Sequence, residues 1–131
     1  TRFVSHRTLA GSEYSDRVED CRQVEIIVGP LRSATINDLQ KITDQRLLQR
    51  ARHVITENQR VRDFAAALSR KDFTSAGAHM LASHHSLAND YETSNDQMNR
   101  AVQEMMSEPG FLGARMTGGG FGGCIVGLRQ H

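Results

Sequence analysis

The stretch Phe111-Leu112-Gly113-Ala114-Arg115-Met116-Thr117-Gly118-Gly119-Gly120-Phe121-Gly122-Gly123-Cys124-Ile125-Val126-Gly127-Leu128 decides the fold. Residues 111–117 read as a short strand and 124–128 as a second apolar strand, with a glycine loop between them. The chain has 11 glycines, and Gly110, Gly113, Gly118, Gly119, Gly120, Gly122, Gly123 and Gly127 all fall in or beside this stretch. Residues without Cβ let a backbone reach φ > 0 and approach a ligand or another loop closely, and their successive N–H groups can converge into an anion-binding nest. Arg115 and Thr117 place a charged fork and a hydroxyl just ahead of the loop. A tight glycine hairpin with no ligand is the other reading of the same residues. Gly118, Gly120 and Gly123 satisfy G-x-G-x-x-G in form, yet the chain continues as Cys124-Ile125-Val126, a strand where a dinucleotide fold needs a helix. No Gly-Lys-Ser/Thr follows, so the loop is not a Walker A motif either.

Upstream, apolar residues recur at helical spacing. Tyr14, Val18, Cys21, Val24 and Val28 define one face of a first helix, with Ser12 as its cap and Gly29-Pro30 as its end. Residues 35–42 hold a short helix. Thr43 or Asp44 caps a longer one, whose stripe is Leu47, Leu48, Ala51, Val54, Ile55, Val61, Ala65 and Leu68. Its opposite face, with Arg46, Arg50, Arg52, Glu57, Arg60, Arg62 and Asp63, reads as solvated mixed charge. Asp72 caps a helix carrying Phe73, Ala76, Met80, Leu81, His84 and Leu87. Ser94 with Gln97 fits a capping box before Met98, Ala101, Val102 and Met105, and Pro109-Gly110 closes that helix. Phe3 and Val4 suit the tail of a strand. Helices followed by a strand, loop and strand make the chain α+β, not alternating βαβ. So small a sheet cannot hide both edges, which suggests part of a larger fold.

Composition narrows the function classes. The chain has 131 residues, 16 basic and 15 acidic, for a net charge of +1, and 38% hydrophobic and 24% charged residues. That length suits one domain. The near-neutral balance, with no block of like charge, argues against nucleic acid or an anionic membrane as partner. No apolar run approaches the ~20 residues of a membrane span, and no export signal is visible, so a cytoplasmic protein is expected. Cys21 and Cys124, far apart in sequence, are expected as two free buried thiols. His79, His84 and His85 do not form a metal set on a helix, because their spacings put His79 off the face of the other two. Met98, Met105 and Met106 read as core or helix packing.

The segment Gly113-Ala114-Arg115-Met116-Thr117-Gly118-Gly119-Gly120-Phe121-Gly122-Gly123-Cys124 resembles the third motif of the GHMP small-molecule kinases in its galactokinase form. Leu9-Ala10-Gly11-Ser12-Glu13-Tyr14, then Arg50-Ala51-Arg52-His53-Val54 with Thr56-Glu57-Asn58, then Ser83-His84 with Ser86-Leu87 and Asp90-Tyr91-Glu92, are each similar to galactokinase segments in the same order. The resemblance therefore covers nearly the whole chain. It implies that residues 1–131 are a fragment of the C-terminal domain of a kinase that moves the γ-phosphoryl of ATP, with Mg²⁺, to the anomeric hydroxyl of galactose. Tyr14 would contact the sugar and fix it in line with phosphorus. A first-turn aromatic packing on its own helix is the other role open to it. The loop Thr117, Gly118, Gly119, Gly120, Phe121, Gly122, Gly123 would lie on the phosphate side, offering backbone donors. His6 stands where the family usually has lysine or arginine, so a cation supporting the catalytic carboxylate would be weaker at neutral pH and activity pH-sensitive. The family's sugar clamp, serine-rich ATP loop and aspartate base belong to the N-terminal half, and none is visible here; nor are the helix and strand that follow the glycine motif. The resemblance thus implies no catalytic residue and no metal ligand in this chain, no tight binding of ATP or galactose by it alone, and the missing N-terminal half as its partner. A galactose- and ATP-binding regulatory paralogue without turnover, and an autonomous binding or assembly module, are the alternative readings.

Overall fold

In a computed structural model, residues 1–6 and 12–130 are described. Strand β1 (Arg2–Ser5) precedes helix α1 (Ser12–Val28) and two 3₁₀ turns, Leu31–Ser33 and Ile36–Lys41. Helices α2 (Gln45–Ser69), α3 (Phe73–Asn89) and α4 (Asp96–Ser107) follow, then strands β2 (Phe111–Met116) and β3 (Gly123–Arg129). The chain is α+β as its sequence pattern requires. Arg7, Thr8, Leu9, Ala10, Gly11 and His131 lie outside the described residues, so the first half of the segment ending at Tyr14 is not placed.

Short polar side chains set the helix starts. The Asp44 carboxylate accepts the Leu47 N–H at 3.0 Å and opens α2, and Asp72 does the same for α3 through Ser75 at 3.1 Å. At α4 the cap is Asn95, not Ser94: the Asn95 amide oxygen accepts the Met98 N–H at 2.9 Å, while the Ser94 hydroxyl turns to Asn99 at 2.7 Å. Extended backbone at Asn95 brings its amide oxygen onto the free N–H groups, so Ser94 is left outside the helix.

The sheet is antiparallel with order β1-β3-β2, so β3 is central and the glycine loop joins β2 to β3 as a hairpin. Two apolar clusters hold the molecule. One, of Val24, Leu31, Ile42, Leu47, Ala51 and Ile55, joins α1 and α2 through the 3₁₀ turns. The other, of Met98, Val102, Met105, Ala114, Met116 and Ile125, seats α4 on the sheet. Helix α3 bridges them by packing against α2 on one side and β2 on the other. Its seat on the strand is backbone on backbone. A Cβ at Gly77 would collide with the Leu112 carbonyl, and one at Gly113 with the Gly77 backbone. Helix α3 thus covers one face of the sheet at β2.

Three expectations from periodicity need correction. The α1 stripe is buried only in its second half: Val24 is fully enclosed, but Tyr14 and Val18 are 55% and 54% exposed, because the first turns line an open cleft and do not enter either apolar cluster. The α2 stripe leaves the core after Ile55, with Val61 and Leu68 exposed, where the helix runs past the α1 contact. Arg50, placed on the solvated face, is buried. Cys21 and Cys124 are free thiols, half-buried instead of fully enclosed.

The α3–β2 seat makes a direct prediction. Gly77→Ala or Gly113→Ala should destabilise the chain by about 1–3 kcal/mol or more, because neither backbone can retreat without breaking the packing of the other. Urea unfolding measures it, and wild-type midpoints for both would refute the close approach.

Candidate functional site

The site builds outward from the polar residues of α2. Arg46, Arg50, His53, Glu57 and Arg60 recur at spacings of four and three, so they share one face of the helix. Beyond Arg46 that face does not look into water. Arg46 pairs with Asp20 of α1 at 3.3 Å. Arg50 donates through Nε to Asp20 at 3.1 Å and through one terminal nitrogen to the Asp90 carbonyl at 2.8 Å and the Glu92 carboxylate at 2.9 Å. His53 Nδ1 is hydrogen-bonded to Ser86 Oγ at 2.7 Å. Glu57 accepts from Ser83 at 2.5 Å, pairs with Arg60, and lies 3.6 Å from Arg115 of β2. Arg50 and Asp20 are only 4% and 6% exposed, so each charge is compensated by the other.

This seam holds the turn between α3 and α4. Tyr91 stacks at a tilt on His53, ring centroids 4.6 Å apart, and its hydroxyl is 3.5 Å from Cys21 Sγ. Burial pushes the Tyr91 hydroxyl and the Cys21 thiol up from their usual values. Burial also pushes His53 down to about 4, against the opposing pull of Glu57. His84 is lowered for the same reason. Its ring bridges the Asn99 side chain at 2.9 Å and the Met116 N–H at 3.2 Å, which makes it a structural residue of the α3–β2 seat.

Against the turn lies the glycine loop. The Phe121 N–H donates to the Thr93 carbonyl at 2.8 Å. Gly120 sits so close to Thr93 that a Cβ there would be 2.5 Å from that carbonyl oxygen, and with φ +89° only glycine is at ease in the position. From α1, the Arg17 guanidinium donates to the Tyr91 and Glu92 carbonyls at 2.6 and 2.7 Å and lies over the Phe121 ring at 5.7 Å.

These contacts bring Tyr14 and the loop together. Tyr14, Arg17, Tyr91, Thr93, Gly118 and Gly119 line one cleft of about 160 Å³, with Phe121 beside them. The other loop residues serve the hairpin itself. Thr117 donates its N–H to the Cys124 carbonyl at 3.0 Å, Gly120 and Gly122 are buried, and Gly123 begins β3 opposite Ser5. Thr117 and Arg115 border a separate cleft of about 340 Å³ with Glu57, Phe64 and Val126. His6 is exposed, edge-on to Phe3 at 5.1 Å. Among the described residues no three His, Cys, Asp or Glu side chains are grouped to hold a metal ion, and no helix is long and apolar enough to cross a membrane.

Sequence reasoning named Tyr14 and the glycine loop, which line one cleft, and singled out the segments holding Arg50 and residues 90–92, but it gave no role to Arg17, Arg50 or the 90–93 turn that joins them. A signal was present for Arg50: it stands three residues after Leu47 and four before Val54, at core spacing. Arg17 likewise follows Tyr14 by three.

The family model for GHMP kinases C terminal matches residues 64–130, and the chain belongs to that family. Within it, the chain is similar to the C-terminal region of galactokinases. It is 42% identical to the galactokinase of Staphylococcus carnosus (strain TM300) over 93% of its own length, and 43% identical to that of Bos taurus over 94%. Those alignments span 34% and 33% of the relatives, so the chain corresponds to about a third of their length. The crystal structure of Lactococcus lactis galactokinase complexed with galactose superimposes with a TM-score of 0.86 at 32% identity, covering 95% of this chain and 35% of that one.

Two outcomes follow from the seam. Arg50→Ala should cost about 3–5 kcal/mol by leaving buried Asp20 with only the exposed Arg46 as partner and the Asp90 carbonyl without its donor, whereas Arg46→Ala should cost less than about 1 kcal/mol; equal losses in urea unfolding would contradict this. His53 and His84 are held neutral by burial, so the unfolded chain binds more protons than the folded one below the ordinary value near 6.5. Stability should be full above about pH 6.5 and fall as pH drops toward 4. His53→Gln should flatten that slope, and an unchanged slope in that variant would remove His53 as a cause.

Proposed function

We propose that this chain acts as the C-terminal part of a galactokinase, transferring the γ-phosphoryl of ATP to the anomeric hydroxyl of galactose. The observation that carries the reading is the shared cleft of Tyr14 with Gly118 and Gly119, in a chain 42% identical to a galactokinase. Tyr14 is exposed on the wall of that cleft, with a ring to lie against a hexose and a hydroxyl to bond it. Across the cleft, the exposed Gly118 and half-buried Gly119 present backbone, which is how a phosphate-side loop offers donors without a reactive side chain. The residues fit that role for ATP. Among the described residues no Mg²⁺ ligand set is grouped, so the metal would be held by the nucleotide phosphates and by groups beyond those residues. ATP supplies the phosphoryl group and Mg²⁺ spreads its charge; what these residues contribute is alignment of the sugar. Among the described residues no carboxylate or histidine lines the cleft to act as general base, so the isolated 131-residue chain is expected to be inactive.

The test is a coupled ADP-release assay on the protein expressed from its full coding sequence. Galactose-dependent ADP release is expected. Tyr14→Phe should raise the KM for galactose roughly fivefold, the worth of one hydrogen bond of about 1 kcal/mol, and Tyr14→Ala more. Saturable binding of galactose and ATP with no ADP release would replace the enzyme by a regulatory sensor, and absence of both would sink the reading.

A further inference from the structure

From the geometry we propose that Arg17 is a positioning residue, which sets the separation between Tyr14 and the glycine loop by clamping the 90–93 turn; the catalytic consequence rests on the phosphotransfer reading above. Arg17 is one helical turn beyond Tyr14 on α1, so the two side chains rise from the same rigid segment. Its guanidinium makes three separate contacts with the opposite wall. It donates to the Tyr91 carbonyl at 2.6 Å and the Glu92 carbonyl at 2.7 Å, and it lies over the Phe121 ring at 5.7 Å. A planar fork can satisfy two adjacent carbonyls and cover an aromatic face at once, which a lysine ammonium cannot do.

The turn it grips is under conformational load. Glu92 has φ +56°, an unfavourable region for a glutamate, and Phe121 has φ +61°. Such conformers persist when their surroundings fix them. For Glu92 those surroundings are two arginines from two helices: Arg17 takes its carbonyl and Arg50 its carboxylate. The next residue, Thr93, accepts the Phe121 N–H at 2.8 Å, and Gly120 rests against it. A continuous path therefore runs from Tyr14 through Arg17 to residues 91–93 and on to residues 120–121, and it ends beside Gly118 and Gly119. Arg50 serves the buried core as well as the turn, whereas Arg17 is half-buried and touches the turn and loop alone among the contacts described. Loss of Arg17 should loosen the cleft without unfolding the domain.

Arg17→Met and Arg17→Lys, in the protein expressed from its full coding sequence, test this by two measurements. Hydrogen exchange followed by mass spectrometry should show faster exchange at residues 117–123 and 90–93 in Arg17→Met, with α2 and α3 protected as in wild type; Arg17→Lys should fall between. In the ADP-release assay kcat should drop roughly ten- to a hundredfold in Arg17→Met, while the KM for galactose changes less than about threefold, because misplacement weakens the transition state more than ground-state binding. Unchanged exchange at residues 117–123 overturns the clamp. A loss confined to KM also overturns it, making Arg17 a direct sugar contact. If wild type releases no ADP with galactose, the phosphotransfer reading fails, and the exchange measurement alone then decides the clamp.

Discussion

Arg50 sits where three parts of the chain meet, and its guanidinium is the constraint on which the rest of the arrangement depends. It binds Asp20 of α1, the carbonyl of Asp90 at the end of α3, and the carboxylate of Glu92 in the turn beyond. A buried arginine tolerates few positions, because its charge must be met and its several donors satisfied. Those partners lie on α1 and on the turn after α3, so satisfying Arg50 fixes α1, α2 and the α3–α4 turn relative to one another. Apolar packing could not do this as specifically. The α1–α2 cluster would survive a sideways shift of a helix better than a fork bonded to three oxygens would.

The same logic continues along α2. His53, Glu57 and Arg60 extend the seam toward α3 and the sheet, where Ser86, Ser83 and Arg115 answer them. The helix thus has two buried faces in different regions. Its first turns hold the apolar cluster with α1; its middle holds a polar seam. Once the apolar stripe leaves the core after Ile55, the polar seam still ties the helix to α3. That explains how Val61 can be exposed on a helix that nevertheless stays docked.

The elements were legible in the sequence because each rests on a local cause. Asp44 and Asp72 cap by reaching three residues ahead, Gly29-Pro30 and Pro109-Gly110 stop helices by backbone chemistry, and the strands around the glycine loop are short apolar runs. Tyr14 and the loop were legible as a motif. What sequence alone could not show was long-range. Arg50 and its stripe looked solvated because charge at helical spacing usually is, and the carbonyls and carboxylates that bury it come from residues 20, 90 and 92. Gly77 gave no hint within its helix, since the reason for it is Leu112, far along the chain.

The polar groups also determine what the cleft can offer a ligand. The arginines nearest the loop are already engaged: Arg17 on two carbonyls, Arg50 on two carboxylates and a carbonyl, Arg115 on Ser83 and the Met116 carbonyl. A cation bound in this way shapes backbone better than it attracts a free anion, because its field is largely cancelled at short range. Selection therefore falls on geometry. The loop must present its backbone at one distance from Tyr14, and the chain keeps that distance by holding Glu92 and Phe121 at positive φ through contacts from two helices. Strain of this kind is stable only while the clamp is intact, so the polar seam is a condition for the cleft as well as for the fold.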